Sequence, residues 1–300
     1  MIFRTSTSGR ALLTGIALVL ILFLPATGSA AAPRAASTSL QAIVTSTDLT
    51  VGLNRFTFGL LSNNRPVSSG RPTLIFYLLH GSSAVREMST TANFNDFSRG
   101  LKGGATNLAA VDLRGVYVAY PRFRRAGTWG VQVETGYKGH LYRLNSGFTV
   151  LSRSLTPGVG SLAPHSNNPT FRQEPVSRLD SGRPPDDMHK LSIARAIKQH
   201  KPLVIIFSTP AFCTSRMCGP QTEIVQRLEP LYRRRVNFIH IEIYKDANPA
   251  HGYARTVRQW HLQTEPWVFV VDRRGRIAAK FEGPTSASEI QSAVAVAMKH

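Results

Sequence analysis

Two kinds of hydrophobic pattern divide the chain, with a proline-rich stretch between them. From 48 to 151 apolar and polar residues alternate, the period of a strand with one buried face. Asn54–Leu61 (NRFTFGLL), Thr73–Leu79, Gly115–Tyr120, Gly127–Glu134 and Phe148–Leu151 read as strands, with Leu49–Val51 leading in and Ser62–Pro66 as a turn. The Gly/Ser/Thr/Asn-rich segment 81–112 reads as a long loop. Short strands between turns predict an antiparallel β-sandwich over 48–151, with Trp129 in its core.

Residues 152–189 carry Pro157, Pro164, Pro169, Pro175, Pro184 and Pro185 among Ser, Asn and Gly, and read as a linker or a strap lying along the surface. The period then changes. Leu191–Gln199 fits a short helix, and Leu203–Ser208 (LVIIFS) is a continuous apolar run of the buried-strand type. Ile224, Val225, Leu228 and Leu231 form a helical stripe, Val236–Ile243 a strand, and 250–260 a further helix. Trp267–Asp272 is a strand, Arg273–Arg276 a turn into Ile277–Phe281, and 286–298 a closing helix. The order is β-α-β-α-β-β-α.

The first 30 residues follow neither pattern. Arg4 and Arg10 precede the apolar run Ala11–Leu24, which Pro25 ends, and small residues occupy 26–32. This charged, apolar, small-residue order is that of a secretory signal peptide. The run is shorter than the about 20 residues of a membrane-spanning helix, and an uncleaved membrane anchor is the competing reading. No cysteine follows the run, which argues against a lipoprotein. In either case the rest of the chain is expected outside the cytoplasm. Residues 31–47, rich in Ala, Ser and Thr, read as a flexible lead-in.

The 300 residues hold 36 Lys+Arg against 17 Asp+Glu, a formal charge of +19. The excess is spread over both halves, and no helix-turn-helix, zinc-finger or RNA-binding aromatic pattern accompanies it. Nucleic acid is therefore set aside as a partner. The charge reads as an Arg-rich exterior suited to an anionic membrane or cell-wall surface. The length suggests two domains, and two cysteines exclude a disulfide-rich scaffold.

In the first half, NRFTFGLL followed by AGTWGVQV (126–133) resembles the immunoglobulin-like domains of exported bacterial proteins. Residues 190–300 resemble the thioredoxin superfamily, through KPLVIIFSTPAFCTSRMCGP (201–220), TEPWVFVVDRRGRI (264–277) and the closing helix. The nearest type is the secreted or membrane-tethered bacterial thiol–disulfide exchanger. This resemblance implies a thioredoxin-like α/β fold in which a cis Pro266 faces the redox cysteines. It also implies protein thiols or disulfides of the envelope as substrates, a redox partner, and no cofactor.

The residues make their own case beside it. A cysteine at a strand-to-helix junction lies near unpaired backbone N–H groups and the positive end of a helix. That favours thiolate, the species that attacks disulfides. Arg216, between the cysteines, adds positive charge. Cys213, after Pro210-Ala211-Phe212, reads as the exposed nucleophile and Cys218 as the resolving partner. Four residues separate them, where thioredoxins have two. On a continuous helix, i and i+5 lie about 8–9 Å apart at Cα, beyond the about 7 Å that a disulfide spans. The pair can bridge only if Cys213 precedes the helix or 214–217 bulges, with Gly219-Pro220 near the helix start.

Four readings of the pair stand. Reversible thiol–disulfide exchange is the one adopted. Its rival from another class is a structural disulfide in a non-catalytic envelope binding protein. A peroxiredoxin-type peroxidase draws on Pro210 and Ser215 before Cys218. A copper or zinc site would need His240, His251 or His261, none at a convincing position, and no metal ligands are assigned. Glu242 on an apolar strand is a candidate proton carrier for Cys213, with a surface role as the alternative. Glu265, before Pro266, is a candidate contact for a substrate backbone. Trp260 and Trp267 read as core or site-flanking residues.

Overall fold

Among the described residues, the alternating pattern of the first half builds eleven strands: β1 (Leu40–Val44), β2 (Gly52–Leu53), β3 (Phe56–Ser62), β4 (Arg65–Val67), β5 (Thr73–His80), β6 (Ser83–Thr91), β7 (Asn93–Asp96), β8 (Gly115–Ala119), β9 (Arg122–Phe123), β10 (Gly127–Tyr137) and β11 (His140–Val150). The structure is a computed structural model that describes residues 39–68, 70–97, 99, 114–232 and 234–300. The expected signal or anchor segment and residues 31–38 of the lead-in lie outside the described residues. Among those described, no helix is long and apolar enough to cross a membrane.

One sheet runs β1-β3-β8-β7 with β4 on β3, a second runs β11-β10-β5-β6, and β2 pairs with β9. Phe56, Phe58 and Leu60 share one face of β3, as do Leu74, Phe76 and Leu78 of β5 and Trp129, Val131 and Val133 of β10; these faces enclose a single core. Aromatic edges meet faces within it, with ring centroids 5.2 Å apart for Phe56–Phe76 and 5.0 Å for Phe123–Trp129. Trp129 is buried, and its indole N–H donates to Arg125 O at 3.2 Å.

Three local expectations change. Leu40–Val44 is a strand paired with β3 rather than part of a flexible lead-in. Much of 81–96 is the hairpin strand β6 and then β7, not loop; Gly81, at φ +57°, makes the tight turn between His80 and Ser83. β6 is largely exposed, so its Ser, Thr and Arg side chains hide the strand period from a hydrophobicity reading. The closing strand is longer than Phe148–Leu151 and pairs along the whole of β10.

The second half contains α1 (Ile193–Ile197), β12 (Leu203–Ser208), α2 (Cys218–Tyr232), β13 (Asn237–Glu242), α3 (Arg255–Gln259), β14 (Trp267–Val271), β15 (Ile277–Glu282) and α4 (Ala287–Ala297). Its sheet runs β13-β12-β14-β15, with β12 and β13 parallel and the other pairs antiparallel. β12 and β14 are buried on both faces, which is why they read as unbroken apolar runs. Val204, Ile206, Val268 and Val270 face α2 and α4, while Ile205, Phe207 and Phe269 face Ile193, Val257 and Trp260. The helix expected over 250–260 contracts to α3, after short 3-10 turns at Lys245–Ala247 and Pro249–His251. Leu231, expected on the buried stripe of α2, is exposed in its last turn.

The two halves share a core. All five residues of β8 are buried, because Tyr117 and Ala119 face the first core while Val116 and Val118 join Val204, Ile224, Val268 and Ile290. The described residues from Ser39 to His300 form one compact unit. The proline-rich strap is part of that packing: Ala163, Leu179 and Met188 are buried. Ala163 N–H donates to Gly275 O and Gly160 N–H to Ile277 O, both at 2.8 Å, along the open edge at β15.

Candidate functional site

β12 ends at Ser208, and the chain turns at Thr209-Pro210 before reaching Cys213. The Cys213 N–H donates to Thr209 O at 3.1 Å, and the Arg216 N–H donates to Cys213 O at 3.1 Å. Arg216 has φ +59°, a left-handed turn that shortens the path between the cysteines. Cys218 is the first residue of α2. Cys213 therefore precedes the helix, residues 214–217 form a compact loop, and Gly219-Pro220 falls in the first helical turn, where proline's missing N–H costs nothing.

The two thiols have opposite surroundings. Cys213 is partly exposed and Cys218 is fully buried. The Cys213 thiol is lowered to about 5, chiefly because the Cys218 thiol donates to its sulfur; the Ser215 hydroxyl and the backbone N–H groups of Cys218 and Met217 add to this against the opposing effect of burial. Ser215 Oγ stands 3.1 Å from Cys213 Sγ. Burial, reinforced by the charge on Cys213, pushes the Cys218 thiol strongly up. The arrangement is a nucleophilic thiolate beside a protonated partner, the inequality that directional thiol–disulfide chemistry requires.

Other expected site residues fall in different places. The Glu265–Pro266 peptide bond is cis and leads into β14. The Glu265 carboxyl is raised by burial and by the negative charge of Cys213, and its own charge acts on Cys218. Glu242 is buried, and its carboxylate oxygens accept the N–H groups of Ser181 and Ile243, both at 3.0 Å. The Glu265 carboxyl is thus coupled electrostatically to the thiols, while that of Glu242, the candidate proton carrier, holds two backbone N–H groups. Arg216 is exposed, and its structural part is played by its backbone rather than its charge. Pro210 lines a groove with Ala211, Ser181 and Pro220 beside the dithiol loop. Trp260 and Trp267 are both buried core residues, the first donating to Ser166 Oγ at 3.1 Å.

The sequence reading missed what the strap brings to the site. Ser181 Oγ accepts the Ala211 N–H at 3.2 Å, tying the strap to the loop that carries Cys213. Below it Asp180, Asp186, His189 and His240 form a buried cluster whose ligand atoms all lie within 4.8 Å of one another. His240, one of the three histidines considered for a metal, belongs to this cluster. His251 is exposed beside Asp246, and His261 ends the α3 region at φ +53°. Within the cluster His240 is pushed up to about 9: burial opposes its charge, but Asp186 and Asp180 outweigh it. The Asp186 carboxyl is held well below the usual carboxylate range by His240 and His189, despite burial. Three of the four residues come from the proline-rich strap, and the spacing of Asp180, Asp186 and His189 matches no common ligand motif.

No protein-family model matches the chain, and no curated protein matches it. Among solved structures, a thiol:disulfide interchange protein, a thioredoxin family protein from Chlorobium tepidum TLS, is similar to part of it at 15% identity and a TM-score of 0.32. The likeness covers 48% of this chain and 96% of that one. The order of elements and the cysteine pair just after β12 are the features that carried the thioredoxin resemblance of 190–300, and the cis bond before β14 is one that it implied.

Proposed function

We propose that this protein is an extracytoplasmic thiol–disulfide oxidoreductase. The observation that carries the reading is the pairing of a stabilised thiolate at Cys213 with a buried, protonated Cys218 at the start of α2. In the reducing direction the Cys213 thiolate attacks one sulfur of a substrate disulfide, forms a mixed disulfide and expels the other substrate sulfur as a thiolate. Cys218 then gives up its proton and attacks Cys213 Sγ. The second substrate thiolate leaves, and a Cys213–Cys218 disulfide remains. Two electrons pass from the dithiol to the substrate, and oxidation of a substrate dithiol is the reverse. Glu265, half-buried and electrostatically coupled to both thiols, is the base that accepts the Cys218 proton.

The N-terminal segment, read as a signal or anchor, supports export to a setting where disulfides persist. Envelope protein thiols or disulfides are then the substrates, with a separate redox partner, and the Arg-rich exterior suits an anionic membrane or wall. The facing antiparallel sheets and aromatic core of the first half support an immunoglobulin-like domain packed on a thioredoxin-like one.

A Cys218→Ser variant tests the function, because it leaves the attacking thiolate without its resolving partner. It is expected to accumulate mixed disulfides with envelope proteins, and Cys213→Ser to accumulate none. A wild-type potential below about −300 mV, in the range of inert structural bridges, together with an absence of trapped species, would assign the pair a structural role.

A further inference from the structure

We propose that Asp180, Asp186, His189 and His240 form a structural binding site for one divalent transition-metal ion of the Zn²⁺ type, which pins the proline-rich strap to β13 beneath the dithiol loop. His189 Nε2 lies 3.3 Å from Asp186 Oδ1 and 3.7 Å from Asp180 Oδ2; His240 Nδ1 lies 2.8 Å from Asp186 Oδ2 and 3.9 Å from Asp180 Oδ1. In a tetrahedron of ligands about 2.0–2.1 Å from zinc, neighbouring donors stand about 3.3 Å apart, and the four separations bracket that value. Two carboxylates and two neutral imidazoles balance a dication, and mixed oxygen and nitrogen donors suit zinc among the common ions.

The hydrogen bonds around the cluster independently indicate a ligand. Thr222 Oγ1 spends its proton on Cys218 O at 2.8 Å. Ser208 Oγ, 2.7 Å from Thr222 Oγ1, must therefore donate to it, and so accepts from His240 Nε2 at 2.9 Å. Nε2 thus carries a proton, and Nδ1, which donates to Asp186 Oδ2 at 2.8 Å, is the nitrogen that gives up its proton to ligate an ion. His189 Nε2 is buried with no hydrogen-bond partner, although two carboxylates stand close by. A buried ring nitrogen turned toward two carboxylates without a hydrogen bond to either, as His189 Nε2 is, is what a shared cation would satisfy.

The surrounding shell is ready-made. Asp180 accepts the N–H groups of Gly182 and Asp186, both at 2.7 Å, and Asp186 accepts that of Met188 at 2.8 Å, which orients both carboxylates. Both imidazoles line a cavity of about 420 Å³ on one side of the cluster, and Asp180 and Asp186 line a groove on the other. The chain of hydroxyls from His240 through Ser208 and Thr222 ends on Cys218 O, linking the site to the dithiol's helix.

The test separates this site from zinc held by the thiols. The full chain carrying Cys213→Ser and Cys218→Ser is loaded with Zn²⁺, dialysed and assayed for metal; one equivalent per chain is expected. Co²⁺ in the same variant should give the visible bands of a tetrahedral site without thiolate charge-transfer absorption. Adding His189→Ala should abolish stoichiometric binding, and adding Ser208→Ala, which keeps all four ligands, should weaken it about tenfold. Should His189→Ala fail to fold, thermal unfolding of the thiol-free chain decides, with a higher Tm expected in Zn²⁺ than in chelator. Absence of bound zinc in the thiol-free chain, or full binding retained in a folded His189→Ala variant, would overturn the proposal.

Discussion

Arg55 Nε lies 2.7 Å from Glu289 Oε1, and Arg55 Nη2 lies 3.1 Å from Glu289 Oε2, so the guanidinium grips the carboxylate with two parallel bonds where the two halves of the protein meet. Both side chains are almost buried, at 10% and 12% exposure. Arg55 also donates to Pro284 O at 2.9 Å, and Glu289 closes the capping box of α4 with Ser286. Removing one member of such a pair leaves the other buried and uncompensated. Arg55→Ala is therefore expected to cost about 3–5 kcal/mol in urea unfolding. Glu289→Ala should cost a similar amount, and the double variant less than the two together. Strictly additive losses would show that the pair does not couple the halves.

The Cys213 thiolate sets a pH signature. Its thiol is lowered from the ordinary 9.0 to about 5 by the Cys218 thiol, the Ser215 hydroxyl and two backbone N–H groups. For an acid whose folded value is depressed, the stabilisation is complete above the unfolded value and is lost as pH falls through the folded one. The reduced protein should accordingly gain stability over Cys213→Ser as pH rises from about 5 towards 9. Alkylation of Cys213 by iodoacetamide should titrate with a midpoint near 5. A midpoint near the free-cysteine value would remove the thiolate from the site.

Glu265 should act on the second step rather than the first. Its negative charge opposes that of Cys213, and each raises the other's proton affinity. Glu265→Gln removes that repulsion, so the Cys213 midpoint is expected to fall. Resolution of the mixed disulfide by Cys218 should slow by about 10²-fold, within the range of general-base effects. Stopped-flow measurement of the two phases checks both; an unchanged second phase would exclude Glu265 as the proton acceptor.

Thr222 joins the buried hydroxyl chain to the dithiol's helix, accepting from Ser208 and donating to Cys218 O. Thr222→Val keeps the shape and leaves the Ser208 O–H without its acceptor. The expected loss is about 1–3 kcal/mol, read as a lower urea midpoint at an unchanged slope. A neutral effect would mean that Ser208 finds another acceptor.

Much of the second half was legible in the sequence. Leu203–Ser208 and Trp267–Val271 are apolar without a break because both faces of these strands are covered, and that pattern survives in any context. The cysteine spacing likewise required Cys213 to precede the helix or 214–217 to bulge, since backbone geometry allows nothing else. The strand at Ser83–Thr91 was hidden because its residues face water. A strap rich in proline carries no periodicity, so Asp180, Asp186 and His189 gave no sign that they would meet His240, more than fifty positions from each of them.

The sequence by itself therefore determined the strand and helix periods, the placement of the dithiol at a strand–helix junction and the scattered basic surface. Each is a local property, set by side-chain chemistry and the step of the backbone. Only the tertiary structure decided that β8 is covered on both faces, that the Glu265 charge is coupled to the thiols while Glu242 accepts two backbone N–H groups, and that the strap closes a buried His–Asp cluster beneath them. Those outcomes depend on long-range packing, which brings together side chains whose separation along the chain carries no pattern.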